Sequence, residues 1–279
     1  QPPAEISFSA SDRCFVCSYK GDGGHYELYA LPSDANRGSE AKDVKKGTGL
    51  GAVFVGRKRF AVLDKKQLVI RDTTNAEIKR VPLPANADWV FPGPAVGTVL
   101  LRMEDRLGVF DISQRKMVAE AVVPGVRHVV WAPASQHRVA LLSKDHVTVC
   151  NARLEVLASV HEMIRPKSAA WDDHGVLIYA TQSHIKFVLP QNGDCGVVRA
   201  IDAPLYIAGV RGNKVFCVDR EGQPRVIAVN PTEYMFKLAL AEKRFADVLR
   251  MVRDANLVGS ALVGYLQKRG YPEIALHFV

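Results

Sequence analysis

Cys14-Phe-Val-Cys17 has the spacing of half a zinc knuckle. The flanking residues alternate like a β-strand, however, and side chains three apart on a strand point to opposite faces. No second Cys/His pair at ligand spacing follows, so no metal site is expected. Gly47-Thr-Gly-Leu-Gly51 resembles a dinucleotide loop, but that device needs a helix N-terminus behind the glycines to face the pyrophosphate. Here Ala52-Val-Phe-Val55 reads as a strand, so the glycines are expected in a flexible loop and no cofactor is implied. Asp145-His146 and Asp172-Asp173-His174 place acids beside bases, but on turn signals with no Gly-x-Ser-x-Gly or other activated nucleophile nearby. Turn capping is the expected role, and no catalytic residue is assigned. Trp89, Trp131 and Trp171 recur at nearly equal intervals, as packing aromatics set once per repeating unit do. Arg57-Lys58-Arg59 and Lys65-Lys66 form the densest basic group and read as solvated turns between strands, with a phosphate or headgroup patch as the alternative.

Those residues must be positioned by a framework, and its scale follows from composition. The chain has 279 residues, 48% hydrophobic and 24% charged, which is globular in character. A net charge of +8 invites an anionic partner, but the basic residues are spread along the chain. Five cysteines, Cys14, Cys17, Cys150, Cys195 and Cys217, are an odd number scattered in apolar runs. They fit packed, reduced thiols of a cytosolic protein better than a disulfide framework. The longest charge-free apolar stretch, Trp89 to Leu101, contains Pro92 and Pro94 and is too short to span a bilayer, so a soluble or peripheral protein is expected.

From the N-terminal end to Asn230 the chain repeats. One apolar phrase returns at Arg13–Tyr19, Arg59–Lys65, Thr98–Glu104, Arg138–Lys144, Gly175–Thr181 and Lys214–Arg220, and the first interval is the longest. A spacing of about 40 residues corresponds to about four short strands, one propeller blade of the WD40 kind. In the fourth unit the strands are expected at His128 to Pro133, Val139 to Leu142, Val147 to Cys150 and Glu155 to Val160. Phe110-Asp111 stands where a WD40 strand ends in an aromatic and an aspartate, but no unit carries the full Gly-His and Trp-Asp signature. Six degenerate blades are therefore visible, with a seventh allowed if the ring is completed outside this stretch. Ser33 to Gly49, polar and rich in Gly, Lys and Asp, lengthens the first interval and reads as a mobile surface insertion.

At Val229-Asn230-Pro231-Thr232-Glu233 the apolar period changes. Asn230 is a good helix N-cap, Pro231 suits the first helical position, and Glu233 at N3 can return to the cap amide. Downstream, Tyr234, Leu238 and Ala241, then Phe245, Val248, Leu249 and Val252, then Val258, Ala261, Leu262, Tyr265 and Leu266 each form one apolar stripe. Gly270 reads as a C′ glycine, and Pro272 opens another helix. The order Phe245, Asp247, Val248, Leu249 and Val252 is echoed at one constant offset by Tyr271, Glu273, Ile274, Ala275 and Phe278. Such short repeated hairpins are the start of an α-solenoid. The expected division is therefore 1–230 as a degenerate WD40-type β-propeller and 231–279 as the first solenoid helices, in a mainly β chain.

Specific letters then narrow the family. Asn230-Pro-Thr-Glu233, Phe236-Lys-Leu-Ala-Leu240, Met251-Val-Arg253, Leu257-Val-Gly259, Tyr265-Leu-Gln-Lys268, Gly270-Tyr-Pro-Glu273 and Ala275-Leu-His-Phe-Val279 resemble the coatomer alpha subunits of the COPI vesicle coat. Upstream, Arg59-Phe-Ala-Val-Leu-Asp64, Ile164-Arg165, Lys167-Ser168, Trp171-Asp172, Asp219-Arg-Glu221 and Pro224-Arg-Val226 extend the likeness. The resemblance implies a second propeller followed by the start of the solenoid through which alpha and beta-prime subunits associate. It implies a non-enzymatic scaffold in Golgi-to-ER and intra-Golgi transport, cytoplasmic and peripheral on Golgi membrane and vesicles. Its partners would be other coatomer subunits, and no nucleic acid is expected. The family's dilysine cargo site belongs to a first propeller outside this stretch, so no binding residue is carried over. Two rival readings are a surface that binds anionic membrane or nucleic acid and a propeller hydrolase with acids or histidines converging in its channel.

Overall fold

The computed structural model describes residues 3–9, 14–21, 23–31, 44–255 and 260–276. Six antiparallel sheets come in sequence order. The first holds β1 (Glu5–Phe8), β2 (Cys14–Tyr19), β3 (His25–Ala30) and β4 (Lys45–Thr48). The second holds β5 (Gly51–Gly56), β6 (Arg59–Asp64), β7 (Gln67–Asp72) and β8 (Glu77–Pro82), and the third β9 (Trp89–Pro92), β10 (Thr98–Arg102), β11 (Leu107–Asp111) and β12 (Lys116–Ala121). The fourth has β13 (His128–Trp131), β14 (Arg138–Leu142), β15 (His146–Asn151) and β16 (Val156–His161). The fifth has β17 (Ser168–Trp171), β18 (Leu177–Ala180), β19 (His184–Val188) and β20 (Cys195–Ala200). The sixth contains three strands, β21 (Tyr206–Arg211), β22 (Lys214–Val218) and β23 (Pro224–Ala228). Four helices follow: α1 (Thr232–Ala241), α2 (Phe245–Ala255), α3 (Ser260–Lys268) and α4 (Pro272–Ala275). The chain divides into two compact units, Gln1–Val156 and Leu157–Val279.

The six recurring apolar phrases are the second strands β2, β6, β10, β14, β18 and β22. In β6, β10, β14 and β18 at least three consecutive residues are buried, which requires packing on both faces of the sheet. The last strands show the opposite pattern, as in β8 (Glu-Ile-Lys-Arg-Val-Pro), where only Val81 is buried. A strand paired on one side only is an edge, and charged side chains protect it from pairing with other chains. Strand ends are closed by a recurring turn chemistry. Asp72, Asp111, Asn151, Asp172 and Asp219 each accept, at one side-chain oxygen, the backbone N–H groups of two residues two to four positions on.

Two expectations about residues 33–49 change. Residues 33–43 lie outside the described residues, but Lys45–Thr48 is β4, paired with β3 from His25↔Thr48 to Leu28↔Lys45, and is not part of a loop. Gly47 is there because the strand runs against Tyr26: a Cβ at this position would lie 2.3 Å from the Tyr26 hydroxyl. Close packing, not flexibility, sets that glycine.

The tryptophans also regroup. Trp131 and Trp171 end β13 and β17, opposite Val139 and Leu177, whereas Trp89 begins β9, opposite Arg102. Pro92 is the residue of the third sheet equivalent to Trp131, and the Trp131 Nε1–H donates to the Pro92 carbonyl at 2.8 Å. The tryptophans thus occupy two positions of the unit, because the separation of Trp89 from Trp131 carries Trp89 to the other end of its strand.

Candidate functional site

Where the strands give way to helices, both sides of α1 are buried. Tyr234 and Leu238 join the core of the fifth and sixth sheets, with Ile178, Ile185, Phe187, Ile207 and Val215. Phe236, Ala239 and Leu240 join a second core with Val248, Leu266 and Ala275 from the later helices. A helix with a single stripe would satisfy one of these cores, whereas α1 serves both. Phe187 and Tyr234 meet ring to ring at 5.6 Å.

A polar layer surrounds this contact. Lys237 Nζ lies 2.6 Å from Glu233 Oε1, over the rings of Phe187 (5.3 Å) and Tyr265 (5.2 Å). The ammonium thus faces both rings while its charge is paired. Tyr265 donates its hydroxyl to Asp194 Oδ2 at 2.5 Å, and Arg269 pairs with the other carboxylate oxygen. Burial pushes the Tyr265 phenol up to about 12, so it remains a donor at neutral pH. The turn before β20 is thereby bonded to α3. Asp194 and Tyr265 are far apart in the chain, and no sequence spacing announces the pair.

The helix start differs by one residue from expectation. Pro231, at φ −81° and ψ −6°, is the cap residue, and its carbonyl accepts the Met235 N–H. Asn230 precedes it, and its Oδ1 accepts both the N–H and the hydroxyl of Thr232, at 3.0 and 2.6 Å. The asparagine therefore does satisfy an otherwise orphaned helix amide, through a side-chain turn. Glu233 does not return to the cap amide: with the cap at Pro231 it lies one position short of the capping-box site, and the cap residue has no N–H. Its carboxylate pairs with the Lys237 ammonium one turn on. Gly270, at φ +81°, ends α3, and Pro272 opens α4 as the spacing predicts. The echo between the helices has a physical counterpart: Phe245 and Tyr271 meet edge to face at 5.8 Å. Val252 and Phe278 of that echo, and the stripe residues Val258, Ala261 and Leu262, lie outside the residues whose side chains are described.

The groups weighed for chemistry take structural positions. Cys14 and Cys17 are buried on β2, and burial, followed by the charge of Glu27, pushes the Cys17 thiol up. Cys150 and Cys217 are buried with thiols pushed up to about 11. Cys195 departs from the expectation of packed thiols, since it is exposed at the start of polar β20. Among the described residues no three metal-capable side chains converge. Asp145 Oδ1 lies 2.9 Å from His146 Nδ1 and also accepts from Ser143 Oγ at 3.3 Å. Serine and histidine thus converge on the acid and not on each other, an order that cannot pass a proton from hydroxyl to imidazole. Ser143 instead accepts the His146 N–H at 3.0 Å, and Thr181 treats His184 the same way at 3.1 Å in the next sheet. Asp172 is buried in its turn, and Asp173 Oδ2 accepts the Gly212 N–H. The basic group divides: Arg57 and Lys58 form the β5–β6 turn, while Lys65 and Lys66 form the β6–β7 turn at the other end of β6.

Comparison with known proteins places this architecture. Residues 1–219 match the family described as COPA/B second beta-propeller. The chain is 44% identical over 275 residues to "Coatomer subunit alpha" of Dictyostelium discoideum, covering 98% of this chain and 22% of that protein. It is 44% identical over 282 residues to "Coatomer subunit alpha-1" of Arabidopsis thaliana, covering 100% and 23%. The chain therefore spans less than a quarter of the length of these relatives. Among solved structures, the β-propeller domain of Myceliophteria thermophila Cps50 (Swd1) superposes with a TM-score of 0.60 at 12% identity, covering 82% of this chain and 84% of that one. Kluyvelomyces marxianus Hsv2 gives 0.53 at 12% identity, covering 81% and 72%. Those likenesses show the β-propeller fold. No helix among the described residues is long and apolar enough to cross a membrane. On the family match and the identity along its whole length, the chain belongs to the coatomer family, as a second β-propeller of the kind found in the alpha subunits, continued into helices.

Proposed function

We propose that this chain is a structural, non-enzymatic part of the COPI coat, in which residues 1–230 form the propeller and 231–279 open an α-solenoid. The observation that carries the reading is α1, whose two faces belong to the core of the last sheets and to that of the following helices. A scaffold needs such a joint, because a helical arm hung on a flexible linker would not hold a propeller in a fixed direction. Association with other coatomer subunits, with the beta-prime subunit through the helices, fits the similarity to alpha subunits. The same similarity supports a cytoplasmic location on Golgi membrane and vesicles, reached through the coat, in retrograde and intra-Golgi transport. Recognition of dilysine cargo is assigned to another propeller of the full-length protein.

The test is affinity isolation of the tagged full-length protein, native and carrying Leu238→Asp, which puts a charge into the shared helix. The native protein should bring down the other coatomer subunits, and the variant should lose those that bind through the helices. A native protein that isolates no coat subunit would end the reading.

A further inference from the structure

We propose that the groove beside the β5–β6 turn docks an acidic peptide segment carrying an aliphatic side chain. The groove has a volume of about 680 Å³ and lies between the second and third sheets of the first compact unit. Arg57, Lys58, Arg59 and Lys79 supply its charge, and no Asp or Glu lines it. The neighbouring carboxylates are committed elsewhere: Asp72 and Asp111 close their own turns, and Glu77 pairs with Arg80. Its apolar floor is the edge of the core at Val55, Ile70 and Ile112, which are buried, and Val96 stands 86% exposed beside it. The frame is held by backbone bonds, from Gly97 N–H to the Val55 carbonyl at 2.8 Å and from Ile112 N–H to the Gly97 carbonyl at 3.0 Å. The site is thus preformed, which lowers the ordering cost of binding.

The lining selects among anionic partners. A single-stranded nucleic acid would look for aromatic side chains on which to stack bases, and no Phe, Tyr or Trp lines the groove. A headgroup layer would use the cations but leave the concave apolar part uncovered. An extended acidic peptide uses both, with carboxylates on the basic walls and one aliphatic side chain against the exposed Val96.

The test uses a fluorescein-labelled peptide with a central leucine between glutamates, read by anisotropy against this chain. Controls are a peptide with serine for the leucine, one with glutamines for the glutamates, phosphatidylserine vesicles, and poly-uridine RNA. Binding of the glutamate-leucine peptide should weaken steeply with added salt. It should fall about tenfold or more in Lys58→Glu with Lys79→Glu, since reversing rim charges acts through attraction and encounter. Gly56→Leu should reduce it as well without altering charge. A Cβ there has Val96 Cγ1 at 3.8 Å as its nearest neighbour, an ordinary contact, so the larger side chain starts from the groove beside Val96. A photoreactive form of the peptide, used on the native chain, should label the β9–β10 turn that carries Val96. The proposal is overturned by no binding, by equal binding of the serine peptide, by labelling elsewhere, or by a preference for vesicles or RNA.

Discussion

The strand tract and the helical tract solve the same burial problem differently. The first five sheets keep most of the second strand buried and leave the last strand polar, so the core lies between sheets and the edges face water, while in the sixth β22 buries only alternate residues. The helices have a small core of their own, with Val248, Leu266 and Ala275 buried beside Phe236, Ala239 and Leu240. Three of those six residues belong to α1, which is also fixed in the sheets. A cleft of about 510 Å³ remains open between α2 and the start of α4, lined in part by Phe245, Leu249, Tyr271 and Ile274. The core of the last sheets takes in Tyr234 and Leu238 of α1, whereas the helices depend on the other side of α1 and leave that cleft open. That contrast is the expected behaviour of a repeat array whose units bury their faces against neighbours.

The contrast can be broken most severely at Phe236. Truncating this buried ring to alanine should cost about 3–5 kcal/mol, and urea unfolding of the variant should show helical signal lost before strand signal. A single unchanged transition would mean that the helical core contributes nothing of its own. Asp194→Ala removes the acceptor for Tyr265 and Arg269 and should cost about 1–3 kcal/mol, as charged hydrogen bonds do. Its mark would be faster proteolysis of α3 with the sheets intact. Asn230→Ala removes the acceptor for Thr232 and should cost about 1 kcal/mol, a shift of thermal midpoint that Asn230→Asp largely restores.

The smallest effect sits in the strand tract. The Lys46 ammonium and the Tyr29 and Tyr19 hydroxyls hold the Glu27 carboxyl at about 2, below its ordinary 4.5. Because the folded value is the lower one, this cluster contributes stability above pH 4.5 that is lost as pH falls toward 2. In Glu27→Gln the acid limb of the stability profile should flatten over that window while the helices are unaffected. An acid limb identical to that of the native chain would remove Glu27 from the account.

What could be read from sequence follows from which forces leave a periodic trace. The second strands β6, β10, β14 and β18 were legible because burial on both faces demands an unbroken apolar run, and β22, buried only at alternate residues, by its place in the repeat. Strand β4 was not, because Lys-Lys-Gly-Thr at an edge needs no apolar alternation. The Asn-Pro helix start was legible to within one residue. The fate of Glu233 was not, since the cap falls on Pro231, which has no N–H, and the carboxylate pairs with an ammonium one turn away. One stripe was expected on α1, because a hydrophobic pattern weighs one face against the other and a helix buried on both sides cancels it. The Asp194, Tyr265 and Arg269 contacts join distant segments, and nothing in local spacing could have shown them.

The central claim, that α1 belongs to both cores, is tested most directly by native-state hydrogen exchange. Amides of α1 from Phe236 to Leu240 should open with the same free energy and denaturant dependence as those of β18 and β19, as one cooperative unit. If those α1 amides instead exchange as fast as those of α4 while the strands remain protected, the helix is an appendage, and the joint on which the scaffold reading rests does not exist.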